Sequence, residues 1–292
     1  MNPSDRRGFY KWKPSACLQV SGADSADFLQ GQFTNDLHKA GPGDVVYGLW
    51  LDQKGKVLAD SFILRKSSQE FWIISYFSAA TVIRARLEAY VVADDVVIED
   101  RTGEMAGLTV LGGNPAADWV PTGGWSFAGR RTREPNAEVI FPVSMEADMD
   151  AKLERAVLLS GTEVERRRIA AGIPAVPADI GPTDLPNEGR LETDAISYTK
   201  GCYLGQEVMA RLKSMGQVRR GLLGVRGDGK QPAVPAPLYH AGKKAGELRS
   251  VVAEGAGWTG LAMVSLMQIR SAPGLALTVD GAPGVSLVVG HD

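Results

Sequence analysis

Cysteine and histidine are scarce in this sequence, neither sign of charge prevails and there is no long apolar run; each shortage removes a class of function. Its two cysteines, Cys17 and Cys202, stand far apart, which argues against a disulfide framework and against a cysteine-built zinc or iron–sulfur cage, since such cages take three or four ligands. The three histidines, His38, His240 and His291, have no metal-ligand spacing, so no permanent metal is expected. No stretch reaches the roughly eighteen apolar residues that span a bilayer. The polar start Met1-Asn2-Pro3-Ser4-Asp5-Arg6-Arg7 has no signal-peptide core behind it, and a cytoplasmic location is expected. With 32 Lys and Arg against 34 Asp and Glu, nothing attracts nucleic acid overall and no direct contact with it is expected. The densest basic run, Glu165-Arg166-Arg167-Arg168, reads as a mostly solvated helix face.

What is present is ordinary for a globular protein of several domains: 292 residues, 44% hydrophobic and 23% charged. Residues 45–51, 57–64 and 71–76 are strand-like runs separated by the turn Asp52-Gln53-Lys54-Gly55 and by Lys66-Ser67-Ser68-Gln69. Ser78 is placed to cap a helix through about Val92, and Val96–Ile98 and Leu108–Leu111 return to strand. Ser144 begins a helical stretch carrying Leu153, Val157 and Leu158; Thr162 and Glu165 suggest a capping box for another, which ends at Gly172. Four prolines, Pro174, Pro177, Pro182 and Pro186, keep the next segment from being helical. Beyond Gly216 short strand candidates alternate with Gly and Pro, as in a small β-barrel. The expected architecture is α+β: an N-terminal unit at 1–135, a second at 136–216 and a C-terminal barrel at 217–292.

The run Lys200-Gly201-Cys202-Tyr203-Leu204-Gly205-Gln206-Glu207 carries the strongest functional signal. Its glycines let a ligand or another segment approach the thiol closely. A helix over residues 206–212 would start just beyond Cys202, where free N–H groups favour a thiolate; Lys200 and Arg211 act in the same direction and Glu207 against it. On local chemistry alone, a packed turn cysteine and a reactive one both stay open.

This run matches the signature K-G-C-Y-x-G-Q-E of the YgfZ family, folate-binding proteins related to the glycine-cleavage aminomethyltransferase, and the match continues in Ala210-Arg211 and Gly216. Phe28-Leu29-Gln30-Gly31-Gln32-Phe33-Thr34-Asn35-Asp36 resembles that family's F-L-Q-G-Q-x-T-N-D, and Gly246-Glu247-Leu248-Arg249-Ser250 with Leu261-Ala262-Met263-Val264 is similar to its barrel. The resemblance implies two folate-binding-type α+β units and a barrel around a central opening. It also implies a tetrahydrofolate-type ligand and a role in assembling or repairing iron–sulfur clusters in partner enzymes, with a link to tRNA modification.

By the same resemblance Cys202 is the essential thiol, able to ligate iron transiently, and Lys200 is a second catalytic residue beside it. Folate contacts fall to Asn35, Asp36, Trp50, Asp60, Gly201, Tyr203, Gly205, Gln206, Glu207 and Arg211. Core packing is the alternative for Trp50 and for Trp72, and a turn or cap for Asn35-Asp36. The rival reading is a folate-dependent aminomethyltransferase or other one-carbon transferase. Against it, Gly55-Lys56-Val57-Leu58-Ala59-Asp60 keeps one carboxylate where that enzyme resembles G-x-I-L-D-D. Ala170 also stands where a pterin-addressing glutamate would be, and Tyr76 where an asparagine would be. A factor that is not a classical enzyme is therefore expected.

Overall fold

The computed structural model describes residues 8–113, 119–216, 218–271, 277–279 and 282–287; Met1 to Arg7 and His291 lie outside them. The chain runs through β1 (Gly8–Trp12), β2 (Ala16–Ser21), α1 (Ser25–Gln32), β3 (Val45–Leu51), β4 (Val57–Arg65), β5 (Glu70–Ser75), α2 (Ala80–Glu88) and β6 (Val97–Asp100). Then come β7 (Met105–Leu111), β8 (Trp125–Ala128), β9 (Asn136–Pro142), α3 (Glu146–Leu153), β10 (Val157–Leu158), α4 (Gly161–Ala171) and α5 (Gln206–Met215). The last part holds β11 (Arg220–Asp228), β12 (Ala236–His240), β13 (Lys243–Glu254), β14 (Gly257–Ser265), α6 (Leu266–Ser271), β15 (Leu277–Val279) and β16 (Ala282–Leu287).

Two five-stranded sheets, ordered β10-β1-β7-β9-β8 and β3-β4-β5-β2-β6, face each other. The first takes strands from both sides of residue 135, so the two α+β units share it. Strand β4 shows why its sheet is buried on both faces: successive side chains alternate. Ala59 and Ile63 pack with Leu29, Ile83 and Leu87 of α1 and α2, while Phe62 and Leu64 pack with Trp12 and Ile140 of the other sheet. A strand covered on both faces reads as one apolar run. Asp60, two residues before Phe62, therefore points between the sheets rather than to water. The C-terminal strands close into a barrel, β11-β14-β13-β12-β15-β16, filled by Val225, Leu238, Leu248 and Trp258.

Several local expectations are corrected. Ser78 does not cap α2, whose N-cap is Ala79; its hydroxyl is drawn to Asp60 instead. Val157 and Leu158 leave the helix and pair in parallel with Gly8 and Phe9, completing the sheet edge. The cap of α4 is Ser160, which accepts from the Glu163 N–H, not Thr162; the helix does end at a left-handed Gly172. Arg168, assigned to a solvated face, is buried because Asp179, Glu165 and the Ser250 hydroxyl all receive its guanidinium. Beyond Gly216, where strands alone are expected, β14 ends at Ser265 and the short helix α6 follows.

The barrel docks through charge. Asp184, buried in the loop after α4, accepts from Arg249 of β13 at 2.5 Å, from Arg220 of β11 at 3.1 Å and from the Gly181 N–H at 2.9 Å. Burial pushes its carboxyl up, but these donors outweigh burial and hold it below the usual carboxylate range. Its stabilisation is complete above the unfolded value of about 3.9 and is lost as the pH falls through the lower folded value. The melting temperature should therefore drop steeply below about pH 4, and less so in Asp184→Asn. Arg249→Met, which keeps bulk but removes a buried partner, should lower the unfolding free energy by about 3 kcal/mol in denaturant titration.

Candidate functional site

The last turn of α1 leaves carbonyls without helical partners and contains no basic residue of its own. Lys200 supplies the cation from the other end of the chain. Its buried ammonium donates to the carbonyls of Gln30 (2.6 Å), Phe33 (2.6 Å) and Asn35 (3.0 Å). Burial draws its pKa down to about 8 against the pull of Asp36. Around this clasp the two sequence motifs are sewn together. The Leu204 N–H meets the Gly31 carbonyl and the Ser197 N–H that of Thr34, and the Thr34 hydroxyl donates to the Ala195 carbonyl. The Asn35 amide is spent on the carbonyls of Tyr47 and Asp194, and Asp36 on Gln30 and Lys39.

Cys202 projects from this clasped segment and is exposed, whereas Cys17 lies in the core, where burial raises its pKa to about 12. Glu207 and Arg211 pair with each other one turn apart on α5, both largely exposed. Gln206 opens that helix with its N–H on the Tyr203 carbonyl. The flanking glycines differ. Gly205 has φ 87°, and a Cβ there would stand 2.9 Å from the Asp52 carbonyl oxygen, so the fold itself requires glycine. At Gly201 a Cβ would meet nothing within 4 Å. Tyr203 is buried against Leu51 and Met209, and its hydroxyl makes no hydrogen bond.

A second constellation surrounds Asp60. Its carboxylate accepts from the hydroxyls of Ser78 (2.8 Å), Tyr47 (2.9 Å) and Ser75 (3.1 Å). Burial raises its pKa, with these hydroxyls and Arg130 opposing. Arg130 lies over the Tyr47 ring, 3.8 Å from its centroid, and pairs with Asp194. Tyr47, Asp60, Tyr76, Arg130, Arg131 and Arg168 help line a pocket of about 20 Å³, room for one water. Behind it, buried Glu138 accepts from Trp12, Thr109 and Tyr76, while Arg131 stacks on Trp12 and Tyr76.

The sequence-predicted residues are thus divided. Lys200, Asn35 and Asp36 share the clasp beside Cys202, and Asp60 lies in the pocket. Trp50 does not reach that pocket; it is in the core, its ring tilted against that of Phe33, with its indole N–H on Ser61. Trp72 packs edge-on against Trp125. Ala170 is exposed and lines an outer groove with Arg167 instead of the central pocket. Sequence reasoning did not single out Tyr47, Ser75, Ser78 in its present role, or Arg130. Two serines closing an apolar strand, Ser75 and Ser78, were the available signal. Among the described residues no group of three or more His, Cys, Asp or Glu is placed to hold a metal ion, and no helix is long and apolar enough to cross a membrane.

Fold and site define a GcvT-like protein with a CAF17-type barrel. Residues 8–120 match the GCVT N-terminal domain model and residues 219–289 the CAF17 C-terminal β-barrel domain. The chain's relatives include proteins named YgfZ and IBA57. It is 26% identical to the iron–sulfur cluster assembly factor IBA57 of Mus musculus mitochondria, over 92% of this chain and 81% of that one. It is 28% identical to the tRNA-modifying protein YgfZ of Edwardsiella ictaluri, over 75% and 70% of the two chains. The crystal structure of the aminomethyltransferase T of the glycine cleavage system from Bartonella henselae shares the fold, with a TM-score of 0.79 at 17% identity, covering 97% of this chain and 86% of that one.

The glycines yield a prediction. Gly205→Ala should cost about 1–2 kcal/mol, as a side chain at positive φ does, whereas Gly201→Ala should stay within about 0.5 kcal/mol. Denaturant midpoints check both. Iodoacetamide should label the native protein at Cys202 and spare Cys17 until it unfolds, as peptide mass mapping would show.

Proposed function

We propose that this protein is a cytoplasmic folate-binding factor that supports assembly or repair of iron–sulfur clusters in client enzymes, with Cys202 as its essential thiol. The observation that carries this reading is an exposed cysteine on a segment pinned by a buried lysine, in a chain whose other cysteine is sealed in the core. A pinned backbone presents the sulfur at a defined place, while its exposure lets a second molecule reach it. One thiolate cannot hold a cluster alone. Cys202 therefore shares iron or a cluster, as cargo, with a client chain or a small thiol, in a transient complex. A connection to tRNA modification runs through such a client and needs no nucleic acid on this protein's surface.

Tetrahydrofolate or a derivative belongs in the central pocket. The donor set suits it: a buried carboxyl at Asp60 for the N–H edge of a pterin, the Tyr47 ring for its flat face, and Arg130 for a carboxylate tail. The room does not suit it as the side chains stand, since about 20 Å³ holds no more than one water; Arg130 must move for a ring to enter. When bound, the folate supplies one-carbon chemistry. Asp60, Tyr47 and the serines orient it and exclude water.

One observation favours the rival, a folate-dependent one-carbon transferase: Asp60 is kept and buried, ready to hold a proton. The two readings part on one comparison. Cys202→Ser should abolish the support of iron–sulfur enzymes in cells while leaving the melting temperature within about 2 °C. Asp60→Asn should weaken folate binding measured by calorimetry, with a smaller loss of cellular support. Full activity of Cys202→Ser together with loss in Asp60→Asn would overturn the assembly reading in favour of the transferase.

A further inference from the structure

Arg130 lines the pocket beside Tyr47 and Asp60. It follows β8 and is largely buried while its partner is not: its own side chain is 18% exposed and that of Asp194 is 54% exposed. Its guanidinium does both jobs at once: the group lies over the Tyr47 face beside Asp60, and one of its N–H groups pairs with Asp194. Ion pairs with one solvated partner are weak. The inner hold comes from the ring and from Asp60, whose charge burial disfavours and whose oxygens are already taken by the Ser75, Ser78 and Tyr47 hydroxyls. Asp194 is thus the partner most easily exchanged.

We propose that Arg130 is the specificity-determining residue of this pocket: it leaves the Tyr47 ring to pair with a carboxylate carried by an incoming flat ligand. The pocket then opens to planar ligands that bring a carboxylate and stays shut to planar ligands that do not. This rests on the reading of the pocket as a folate site. The physical reason is an exchange of like for like. A ligand with a carboxylate gives the guanidinium a bidentate partner in place of Asp194, so no charge is left half-buried and unpaired. A neutral ring displaces the guanidinium from Tyr47 and offers nothing in return. Asp194 also ties the pocket to the clasp, since its carbonyl accepts from Asn35, whose own carbonyl is held by Lys200.

The test uses calorimetry with 5-formyltetrahydrofolate and with 6,7-dimethyltetrahydropterin, which lacks the tail. The wild type should prefer the folate at least about tenfold, in line with one charge-assisted contact. Arg130→Ala should lose that preference by weakening the folate and not the pterin, and Asp194→Asn should tighten the folate several-fold. An Arg130→Ala protein that keeps the wild-type preference would overturn the proposal. A second measurement does not depend on the ring: the Arg130 Nε–H resonance, displaced by the Tyr47 ring, should move saturably in the wild type on adding 4-aminobenzoylglutamate, the tail alone. A resonance unmoved by the tail would sink the exchange, whereas binding of neither pterin nor folate by any variant, with the resonance still moving, would sink only the folate reading.

Discussion

Everything near Cys202 depends on one buried ammonium. Lys200 closes the end of α1 by donating to the Gln30, Phe33 and Asn35 carbonyls, and in doing so it holds residues 194–204 against the segment Gln30 to Asp36. A charge taken out of water is costly unless every one of its donors is met. Here each of the ammonium's three N–H groups has a carbonyl, so the charge is tolerated and the geometry around it has little freedom. A cysteine attached two residues further on inherits that order while staying in solvent. The Tyr203 ring and α5 bury the opposite side of the strip against β3 and β4.

Buried carboxylates organise the rest, each neutralised differently. Asp184 takes two arginines and binds the barrel to the body, which makes it acidic and structural. Glu138 has Arg131 nearby and three neutral donors, and it fastens the two sheets across their aromatic interior. Asp60 has hydroxyls only in direct contact and a cation one ring away. Burial raises the pKa of both Glu138 and Asp60, and of the three carboxylates Asp60 is the one that lines the pocket. Chemistry is better served by that arrangement than stability is.

Much of this was legible beforehand because it rests on local pattern. Strand β3 follows from the apolar run of residues 45–51, and the end of α4 from Gly172, since both depend on near neighbours. The motif around Cys202 stood out for its composition. What was misread involves competition between partners distant in sequence. Ser78 has the look of a helix cap but prefers a buried carboxylate, and Val157 and Leu158 have helical spacing but are taken by the free edge of β1. Arg168 sits in a basic run and is nonetheless buried, because Asp179 and Ser250 arrive from other elements. Trp50, chosen as a flat wall, is on the wrong face of its strand for the pocket.

The sequence by itself determined the α+β-and-barrel architecture and marked out the motif around Cys202, because repeating apolar patterns and an irregular eight-residue motif are written in consecutive residues. Only the tertiary structure decided that Lys200 is a clasp rather than a reactive neighbour, and that Asn35 and Asp36 serve the backbone around them. It alone placed Arg130 between Tyr47 and Asp194 in the lining of the pocket. Hydrogen bonds and ion pairs join groups far apart in sequence, and which partner a polar side chain takes is settled by the distances that folding creates.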